Sequence, residues 1–416
     1  MKQAELLIIG NGMACQKLLS ELLHWPNRPK RIVILAAEDR PAYNRVLLSN
    51  LLSGEQADSA AELGGIDWYR QHGFELMCGD AVVQLDAANK QVHSQSGRRY
   101  QYQQLVLACG ASAVNPDYAL DAKQRLKSGI CHFRNWQDLQ QLRQASQQVQ
   151  QAVVVGGGFL GLEAAAGLQQ LGMQVRLVQR GASVLNRQLD RPAALMLQHA
   201  LQQKGIELHT RSQLSELSYH NGALQAVQLS NGRHAPKQLP AQLLVLALGI
   251  HPNTQLASQA GLQVARGICV NDQLQSSDPA IFALGECIEF NGETFGLLAP
   301  IQQQAKVLAA VLCNQDTHYQ PEPVCTQLKI SGIAVSSCGD IAALSANPKL
   351  ADHSEFFIDQ QLGHYRRLWW QDQRLLGAVL YGDTRLSPFY SELIQSGRRY
   401  NGDPERALFS PDRQVA

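Results

Sequence analysis

The 416-residue sequence lacks closely spaced cysteines, although it contains nine of them. No C-x-x-C occurs, and the closest two, Cys313 and Cys325, are twelve residues apart. This excludes the usual zinc and iron–sulfur spacings and the adjacent dithiol of thioredoxin-like enzymes, and the odd count argues against a secreted disulfide framework. We therefore expect reduced, mostly buried thiols in the cytoplasm. The histidines also lack ligand spacing, so the sequence predicts no metal site.

Long apolar runs and a large net charge are also missing. No run approaches the roughly 20 apolar residues that a membrane-spanning helix needs. The first residues resemble a short export signal, but Glu5 interrupts the apolar core, and Gly10 and Gly12 suit a nucleotide-binding loop better. A formal net charge of +1 gives no general attraction for nucleic acid or anionic membranes. We predict neither as a partner.

Two glycine-rich loops of the same kind are the most informative feature that is present. The first, GNGMAC at 10–15, follows the apolar run 6–9, and the second, GGGFLG at 156–161, follows the run 152–155. Each stands where a buried strand should turn into a helix, so backbone N–H groups and the positive helix end can hold a pyrophosphate. Two such loops suggest two dinucleotides that exchange electrons.

Hydrophobic periodicity places each loop in a predicted strand–helix–strand unit. The predicted segments are 4–9, 13–23 and 31–35 around the first loop, and 152–155, 160–171 and 175–178 around the second. Buried strands that end in glycine are predicted at 105–110, 243–249 and 280–285. From about residue 324, alternating strands and turns predict a β-rich C-terminal domain. The length and the 45% hydrophobic content fit two or three domains with ordinary cores.

The two strand–helix–strand units differ in the residues that come just after their second strands. Glu38 follows the first, where a carboxylate can accept both hydrogen bonds of an adenosine ribose diol; the alternative is a solvated loop charge. At the second loop Gln179 and Arg180 replace the acid. A 2′-phosphate is not repelled there and Arg180 could pair with it, or Arg180 is an ordinary surface arginine, so NADH and NADPH both stay open. The first loop departs from its pattern at Cys15, where glycine or alanine is usual.

The chain resembles the FAD-dependent pyridine nucleotide oxidoreductases, the flavoproteins that bind two dinucleotides. Within them it is most similar to the FAD-binding N-terminal portion of the large subunit of NAD(P)H-dependent assimilatory nitrite reductase, a relative of the rubredoxin and ferredoxin reductases. The stretches that carry the resemblance are GNGMAC at 10–15, RPAYNRVLLS at 40–49, VLACGA at 106–111, GGGFLGLEAA at 156–165, LGIHPNTQLASQAGL at 248–262, FALGECIEFNG at 282–292 and LKISGIAVSSCGD at 328–340.

The resemblance implies an α/β fold with two Rossmann-like, three-layer dinucleotide-binding domains and a C-terminal α+β domain. The NAD(P)H domain is expected to be inserted in the FAD domain. The predicted boundaries are 1–118 and 247–323 for the FAD-binding domain, 119–246 for the NAD(P)H-binding domain and 324–416 for the C-terminal domain.

The resemblance also implies the residues that bind the cofactors. For FAD they are Gly10, Gly12, Met13, Ala14, Glu38, Arg45, Val82, Ala108, Gly110, Arg134, Gly285, Glu286 and Leu298. For NADH or NADPH they are Gly156, Gly158, Phe159, Leu160, Glu163, Gln179, Arg180 and Gly249. Glu163 is expected near the nicotinamide and is the nearest candidate for a catalytic residue, although hydride transfer to a flavin needs no protein acid or base. Glu286 stands where many relatives have aspartate, and Cys109 replaces a usual threonine.

The absence of two cysteine arrangements narrows the expected redox chemistry. Disulfide-reducing relatives carry a cysteine pair soon after the first strand–helix–strand unit, and peroxide-reducing relatives carry one near the position of Ser53; this chain has neither. The flavin is therefore expected to be the redox group, which implies an FAD-dependent NAD(P)H oxidoreductase that passes electrons to a separate acceptor protein of nitrite or nitrate assimilation. Asn50, where rubredoxin and ferredoxin reductases often have lysine, favours this branch.

Two alternatives remain beside that function. One is a reductase for rubredoxin or another small iron–sulfur protein, and the other is a nucleotide-binding redox sensor without meaningful turnover. The stretch HYRRLWW at 364–370 could meet an acidic redox partner, or it could be a strand with a buried aromatic face. The sequence does not indicate an oligomeric state.

Overall fold

The computed structural model describes residues 2–230, 235–330 and 332–409. The strands are β1 (Lys2–Ile9), β2 (Ile32–Leu35), β3 (Glu75–Met77), β4 (Val82–Asp86), β5 (Gln91–Ser94), β6 (Arg99–Leu107), β7 (Ala111–Ala113), β8 (Ile130–His132), β9 (Gln151–Val155), β10 (Gln174–Gln179), β11 (Glu207–Thr210), β12 (Gln213–His220), β13 (Ala223–Ser230), β14 (Lys237–Pro240), β15 (Leu243–Leu246), β16 (Ile250–Pro252), β17 (Ile268–Cys269), β18 (Ile281–Ala283), β19 (Ile288–Phe290), β20 (Glu293–Thr294), β21 (Cys325–Ile330), β22 (Ile333–Cys338), β23 (His353–Asp359), β24 (His364–Gln371) and β25 (Arg374–Tyr381). The helices are α1 (Met13–Leu22), α2 (Leu48–Leu52), α3 (Gly65–Gln71), α4 (Trp136–Gln148), α5 (Phe159–Gln170), α6 (Arg191–Gln203), α7 (Gln255–Gln259), α8 (Leu298–Leu312), α9 (Ile341–Ala346), α10 (Ser387–Ser396) and α11 (Pro404–Ala407).

The chain forms two compact units. The first unit contains the described residues of Met1–Leu48, Gln56–Val114 and Gly249–Pro321, and the second unit contains those of Ser49–Glu55, Asn115–Leu248 and Glu322–Ala416. The division into three domains by the boundaries given above stays a prediction.

The first unit is built on a sheet with the strand order β3-β2-β1-β6-β5-β4, in which β18 also pairs with β6. Strands β1, β2, β3, β6 and β18 run parallel, and the β4–β5 hairpin is antiparallel. The last four residues of β1 and all of β2 are buried, because apolar residues in a row suit a parallel sheet that is covered on both faces. The amphipathic helices α1 and α8 contribute to the same core.

The described residues of the second unit form three sheets. A parallel sheet has the order β11-β10-β9-β15-β8, and β12-β13-β14 form a small antiparallel sheet. The third sheet, antiparallel with the order β21-β22-β25-β24-β23, carries α10 against its core-facing side. The predicted strand–helix–strand units around both loops are confirmed to within two residues at each end, since their signal is local hydrophobic periodicity.

The expectation that every cysteine is a reduced thiol is wrong for one pair. Cys325 and Cys338 lie directly opposite each other on β21 and β22, with 4.2 Å between their Cα atoms, and form a disulfide. The hairpin makes neighbours of two cysteines that are 13 residues apart. Most of the free thiols are also not fully buried. Cys15, Cys287 and Cys313 are buried, whereas Cys78, Cys109, Cys131 and Cys269 are half-buried.

The HYRRLWW stretch is a buried strand, β24, and not an exposed docking surface. Tyr365, Arg366 and Trp370 are all less than 10% exposed. Arg366 pairs with Asp383 at 2.6 Å, so its charge is balanced inside the fold. The alternation of basic and aromatic residues therefore reflects sheet packing, and the docking hypothesis for this stretch is wrong.

None of the helices in the described ranges is both long and apolar enough to cross a bilayer.

Candidate dinucleotide sites

The first glycine loop has the backbone geometry that a dinucleotide cradle needs. Gly10 follows β1 with φ +104°, and a β-carbon there would lie 2.2 Å from the Ala108 carbonyl oxygen, so no other residue fits without displacement. Gly12 is the N-cap of α1, and a β-carbon there would meet open space. Met13 begins the helix. The loop thus exposes the helix N-terminus to an open space next to Gly12, as pyrophosphate binding requires.

The third position of this loop accommodates a cysteine. Cys15 is a completely buried residue of α1, and burial raises the pKa of its thiol far above the ordinary value. It is therefore a packing residue in its neutral form.

Glu38 lies where a ribose-binding acid is expected, and two side chains already hold it. Arg45 pairs with Glu38 Oε1 at 2.5 Å, and the Tyr43 hydroxyl donates to Glu38 Oε2 at 3.0 Å. Burial acts to lower the pKa of Arg45, but Tyr43, Glu38 and Glu286 outweigh it and raise the pKa, so the guanidinium is firmly charged. Tyr43 was not among the predicted site residues, although it lies inside the RPAY stretch at 40–43.

Two turns of the first unit, at Gly110 and at Gly285, lie beside the first loop. A β-carbon on Gly285, which has φ +89°, would lie 3.1 Å from Ala14 Cβ, and one on Gly110 would lie 3.9 Å from Glu286 Oε2. The Gly285 N–H donates to the Oε1 atom of fully buried Gln304 at 2.8 Å. The structure therefore brings together predicted residues from the beginning, the middle and the end of the unit. Gln304 carried no sequence signal, because its role depends on how α8 packs.

Half-buried Asn11 supports the fit of a dinucleotide here. Its Oδ1 accepts a hydrogen bond from Tyr69 at 2.8 Å, but its buried Nδ2 has no partner among the described residues. A buried donor without an acceptor is costly, and a ligand oxygen could satisfy it. Of the other predicted FAD contacts, Ala108 directly follows β6 and is buried, whereas Val82 begins β4 and Leu298 begins α8, both half-buried.

The second glycine loop repeats the first. Gly156 has φ +116°, and a β-carbon there would lie 2.1 Å from the Ala247 carbonyl oxygen; Gly158 is the N-cap of α5 and faces open space. A β-carbon on Gly161 would lie 1.8 Å from the Gly156 oxygen, so the third glycine permits close packing of helix and loop. Phe159 and Leu160 begin α5, half-buried and exposed respectively. The two loops are geometrically equivalent except at the third position.

Gln179 and Arg180, at the end of β10, have different surroundings. The Gln179 Oε1 atom accepts from the Gly157 N–H at 2.9 Å, and its Nε2 donates to the Ser183 carbonyl at 3.3 Å. Both ends of the amide therefore bind the loop. Arg180 is exposed.

Glu163 lies half-buried on α5, between buried Leu162 and Ala164. Burial raises the pKa of its carboxyl to about 7, so both protonation states are populated near neutral pH. A group with this property near a cofactor site is a candidate functional residue.

Two predicted contacts lie in the unit opposite to their assignment. Arg134, predicted for FAD, is in the second unit, where its N–H donates to Asp138 Oδ2 at 2.8 Å at the start of α4. Gly249, predicted for NAD(P)H, is in the first unit, and its carbonyl accepts from the Val114 N–H at 3.1 Å. Both assignments stay predictions.

Comparison with known proteins gives the same picture. The pyridine nucleotide-disulphide oxidoreductase family matches residues 4–308, and the rubredoxin NAD+ reductase C-terminal domain matches residues 323–398. The chain belongs to the pyridine nucleotide-disulphide oxidoreductase family. It is therefore an oxidoreductase that uses FAD and NADH or NADPH, with the predicted α/β fold. The alternative of a sensor without turnover finds no support here.

Two named relatives and one solved structure show which proteins the chain is similar to. The assimilatory nitrate reductase electron transfer subunit of Bacillus subtilis (strain 168) is 38% identical over 92% of this chain and 48% of its own length. The nitric oxide reductase FlRd-NAD(+) reductase of Vibrio vulnificus (strain YJ016) is 32% identical over 81% of this chain and 86% of its own length. The chain thus spans about half the length of the first relative. A crystal structure of a ferredoxin reductase from Rhodopseudomonas palustris shares the fold, with a TM-score of 0.85 and 23% identity over 97% of both chains.

The family name includes disulfide reduction, but this sequence has no cysteine between Cys15 and Cys78. That stretch is where the resemblance places the redox cysteines of disulfide- and peroxide-reducing relatives.

Proposed function

We propose that this chain is the flavoprotein component that takes electrons from NAD(P)H and delivers them to a separate acceptor protein of nitrate or nitrite assimilation in the cytoplasm. The observation that carries the proposal is the pair of glycine loops with the same geometry, one in each unit, in a chain similar to a nitrate reductase electron transfer subunit. Two dinucleotide sites without a redox cysteine beside the first loop fit an electron-transfer reductase better than a disulfide reductase.

The residues of the first unit would hold FAD. Gly10 and Gly12 leave room for the pyrophosphate at the start of α1, and Glu38 offers its carboxylate to the ribose. Glu286 and charged Arg45 would contact the rest of the cofactor. The chemistry that bound FAD would supply is the acceptance of a hydride from the nicotinamide and the release of its electrons to the acceptor protein.

The residues of the second unit would hold the nicotinamide dinucleotide. Gly156 keeps the loop tight against Ala247, and Gly158 leaves open the space at the N-terminus of α5. Burial raises the pKa of Glu163 to about 7, so both forms of its carboxyl group are available near neutral pH. The ionised form would accept a hydrogen bond from an amide N–H, and the protonated form would donate one to an amide carbonyl. No proton needs to move through the protein for this step.

Anaerobic reduction of the purified protein tests the proposal. We expect a yellow protein that NADH or NADPH bleaches, and that then reduces both a small dye and the catalytic component of an assimilatory nitrate or nitrite reductase. A Gly158→Val variant should fold and keep FAD, because the added side chain enters open space. The same side chain should block the nicotinamide dinucleotide, so NAD(P)H should no longer reduce the flavin. After reduction by dithionite, the variant should still pass electrons to the dye. A colourless protein that binds no added FAD would contradict the proposal.

A second candidate acceptor is rubredoxin or another small iron–sulfur protein. The match of residues 323–398 to the rubredoxin NAD+ reductase C-terminal domain favours it. A panel of acceptors at equal concentration separates the two, since the physiological acceptor should be reduced with the highest kcat/KM. Faster reduction of rubredoxin than of the nitrate or nitrite reductase component would select this candidate.

A further inference from the structure

Gln179, the last residue of β10, stands where an acid is usual and carries no charge. In dinucleotide-binding folds an acid at this position accepts a hydrogen bond from the ribose 2′-hydroxyl of NAD. Gln179 instead uses its carbonyl oxygen on the Gly157 N–H at 2.9 Å and its amide nitrogen on the Ser183 carbonyl at 3.3 Å. The loop is thus held closed, and no carboxylate is offered to a ribose diol.

Cationic side chains occupy the same end of the sheet. Arg180 directly follows β10, and Arg211 directly follows the neighbouring parallel strand β11. The Arg211 N–H donates to the Gly181 carbonyl at 2.9 Å, which makes the two arginines neighbours although they are far apart in sequence. Arg187 lies in the loop that returns to Gly157. All three arginines are exposed.

The carboxylates of this region are occupied elsewhere. Between residues 174 and 215 the sequence contains two acids, Asp190 and Glu207. Asp190 is buried and accepts from Tyr365 and from Arg367 Nη1 at 3.3 Å. Glu207 begins β11, at the opposite end of the strand from Arg211, and binds Arg176 at 3.0 Å. In the segment from β10 to Arg211, the charged side chains that lie at the carboxyl ends of these two strands are therefore arginines.

We propose that this chain prefers NADPH, and that Arg180 and Arg211 bind its 2′-phosphate with Arg187 as a third cation. The inference rests on the proposed function and specifies its coenzyme. A guanidinium group matches a phosphate with paired, charge-assisted hydrogen bonds, whereas the 2′-hydroxyl of NADH meets a neutral amide and cations. Arg211 is the residue that only the alignment of β10 and β11 reveals.

Binding of 2′,5′-ADP and of ADP to the purified holoenzyme, measured by calorimetry, tests the inference independently of turnover. We expect 2′,5′-ADP to bind at least about 10-fold more tightly than ADP at low salt, since each charged hydrogen bond is worth about a factor of 10 or more. The double variant Arg180→Ala/Arg211→Ala should remove this preference and leave ADP binding unchanged. The control is Arg398→Ala, which removes an exposed arginine elsewhere in the second unit. It should change neither the affinity for 2′,5′-ADP nor the affinity for ADP.

Steady-state kinetics give the second readout. NADPH should exceed NADH in kcat/KM, and Gln179→Glu should shift the ratio toward NADH because it restores a carboxylate next to Arg180. Equal affinity for 2′,5′-ADP and ADP, or equal losses for both ligands in the double variant, would overturn the inference. If NADH then reduces the flavin faster than NADPH, the proposed function stands without it. If neither coenzyme reduces the flavin, the proposed function fails, and the calorimetry still decides the phosphate site.

Discussion

Glu163 shows how burial changes the chemistry of one residue. A glutamate in water is ionised at neutral pH, but this one is half-buried on α5 between apolar neighbours, and burial raises the pKa of its carboxyl from 4.5 to about 7. The folded protein therefore keeps a proton that the unfolded chain loses between these two values. This couples stability to pH in a defined direction.

We expect Glu163 to make the protein less stable as the pH rises from about 4.5 to 7. Its stabilising contribution is complete below the unfolded pKa and is lost as the pH passes through the folded pKa, because protonation favours the folded state. The measurement is the urea midpoint of unfolding at several pH values for the wild type and for Glu163→Gln. The variant should lose this part of the pH dependence; parallel curves would show that Glu163 does not titrate in this range.

At the scale of elements, the two glycine loops separate conformational need from ligand need. Gly10 combines a positive φ with a β-carbon position 2.2 Å from a carbonyl oxygen, whereas Gly12 has φ −87° and open space around it. The first glycine is required by the fold, and the second leaves space for a ligand.

Alanine substitutions distinguish these roles. Gly10→Ala should destabilise the flavin-free protein by about 3 kcal/mol through backbone strain and overpacking. Gly12→Ala should leave its stability within about 1 kcal/mol and weaken FAD retention. Urea unfolding of the flavin-free protein and the ratio of flavin to protein absorbance measure the two effects. Equal stability losses in both variants would contradict the distinction.

The β21–β22 hairpin carries a second prediction at this scale. The disulfide between Cys325 and Cys338 closes a short loop, which should stabilise the sheet of β21 to β25 by about 3 kcal/mol relative to the reduced chain. Peptide mapping without reductant should recover the two cysteines as one linked pair, and reductant should lower the unfolding midpoint of the wild type to that of Cys325→Ala/Cys338→Ala. Titration of nine free thiols in the oxidised protein would contradict the bond. Because a reducing cytoplasm keeps most thiols reduced, the same mapping on protein from cells bears on the proposed location.

At the scale of the whole molecule, the chain has two units with separate hydrophobic cores. Each unit contains one glycine loop, so each should respond to its own ligand. Ligand binding to the folded form raises stability by mass action, by about 2.7 kcal/mol at a ligand concentration 100 times Kd.

We therefore expect two transitions when the flavin-free protein is heated in a calorimeter. FAD should raise the transition of the first unit, and 2′,5′-ADP should raise that of the second. A Gly12→Val variant should lose only the shift with FAD, and Gly158→Val only the shift with 2′,5′-ADP. One transition that both ligands shift alike would contradict independent sites.

The two loops and their strand–helix–strand units could be predicted from the amino-acid order alone. These features depend on the order of neighbouring residues: a buried apolar run, glycines at fixed spacing and a helix with regular apolar positions. Glu38 and the neutral Gln179 could likewise be located, because each lies within three residues of the end of its predicted strand.

Features that depend on contacts between segments far apart in the sequence are visible only in the folded structure. It paired Cys325 with Cys338 through strand register, buried the 364–370 stretch inside a sheet, and placed Gln304 on the Gly285 turn. It also set Arg211 beside Gly181 through the parallel alignment of β10 and β11. Local periodicity fixes the conformation of each segment, but register and packing are chosen by the burial of all segments together, which no single stretch of sequence records.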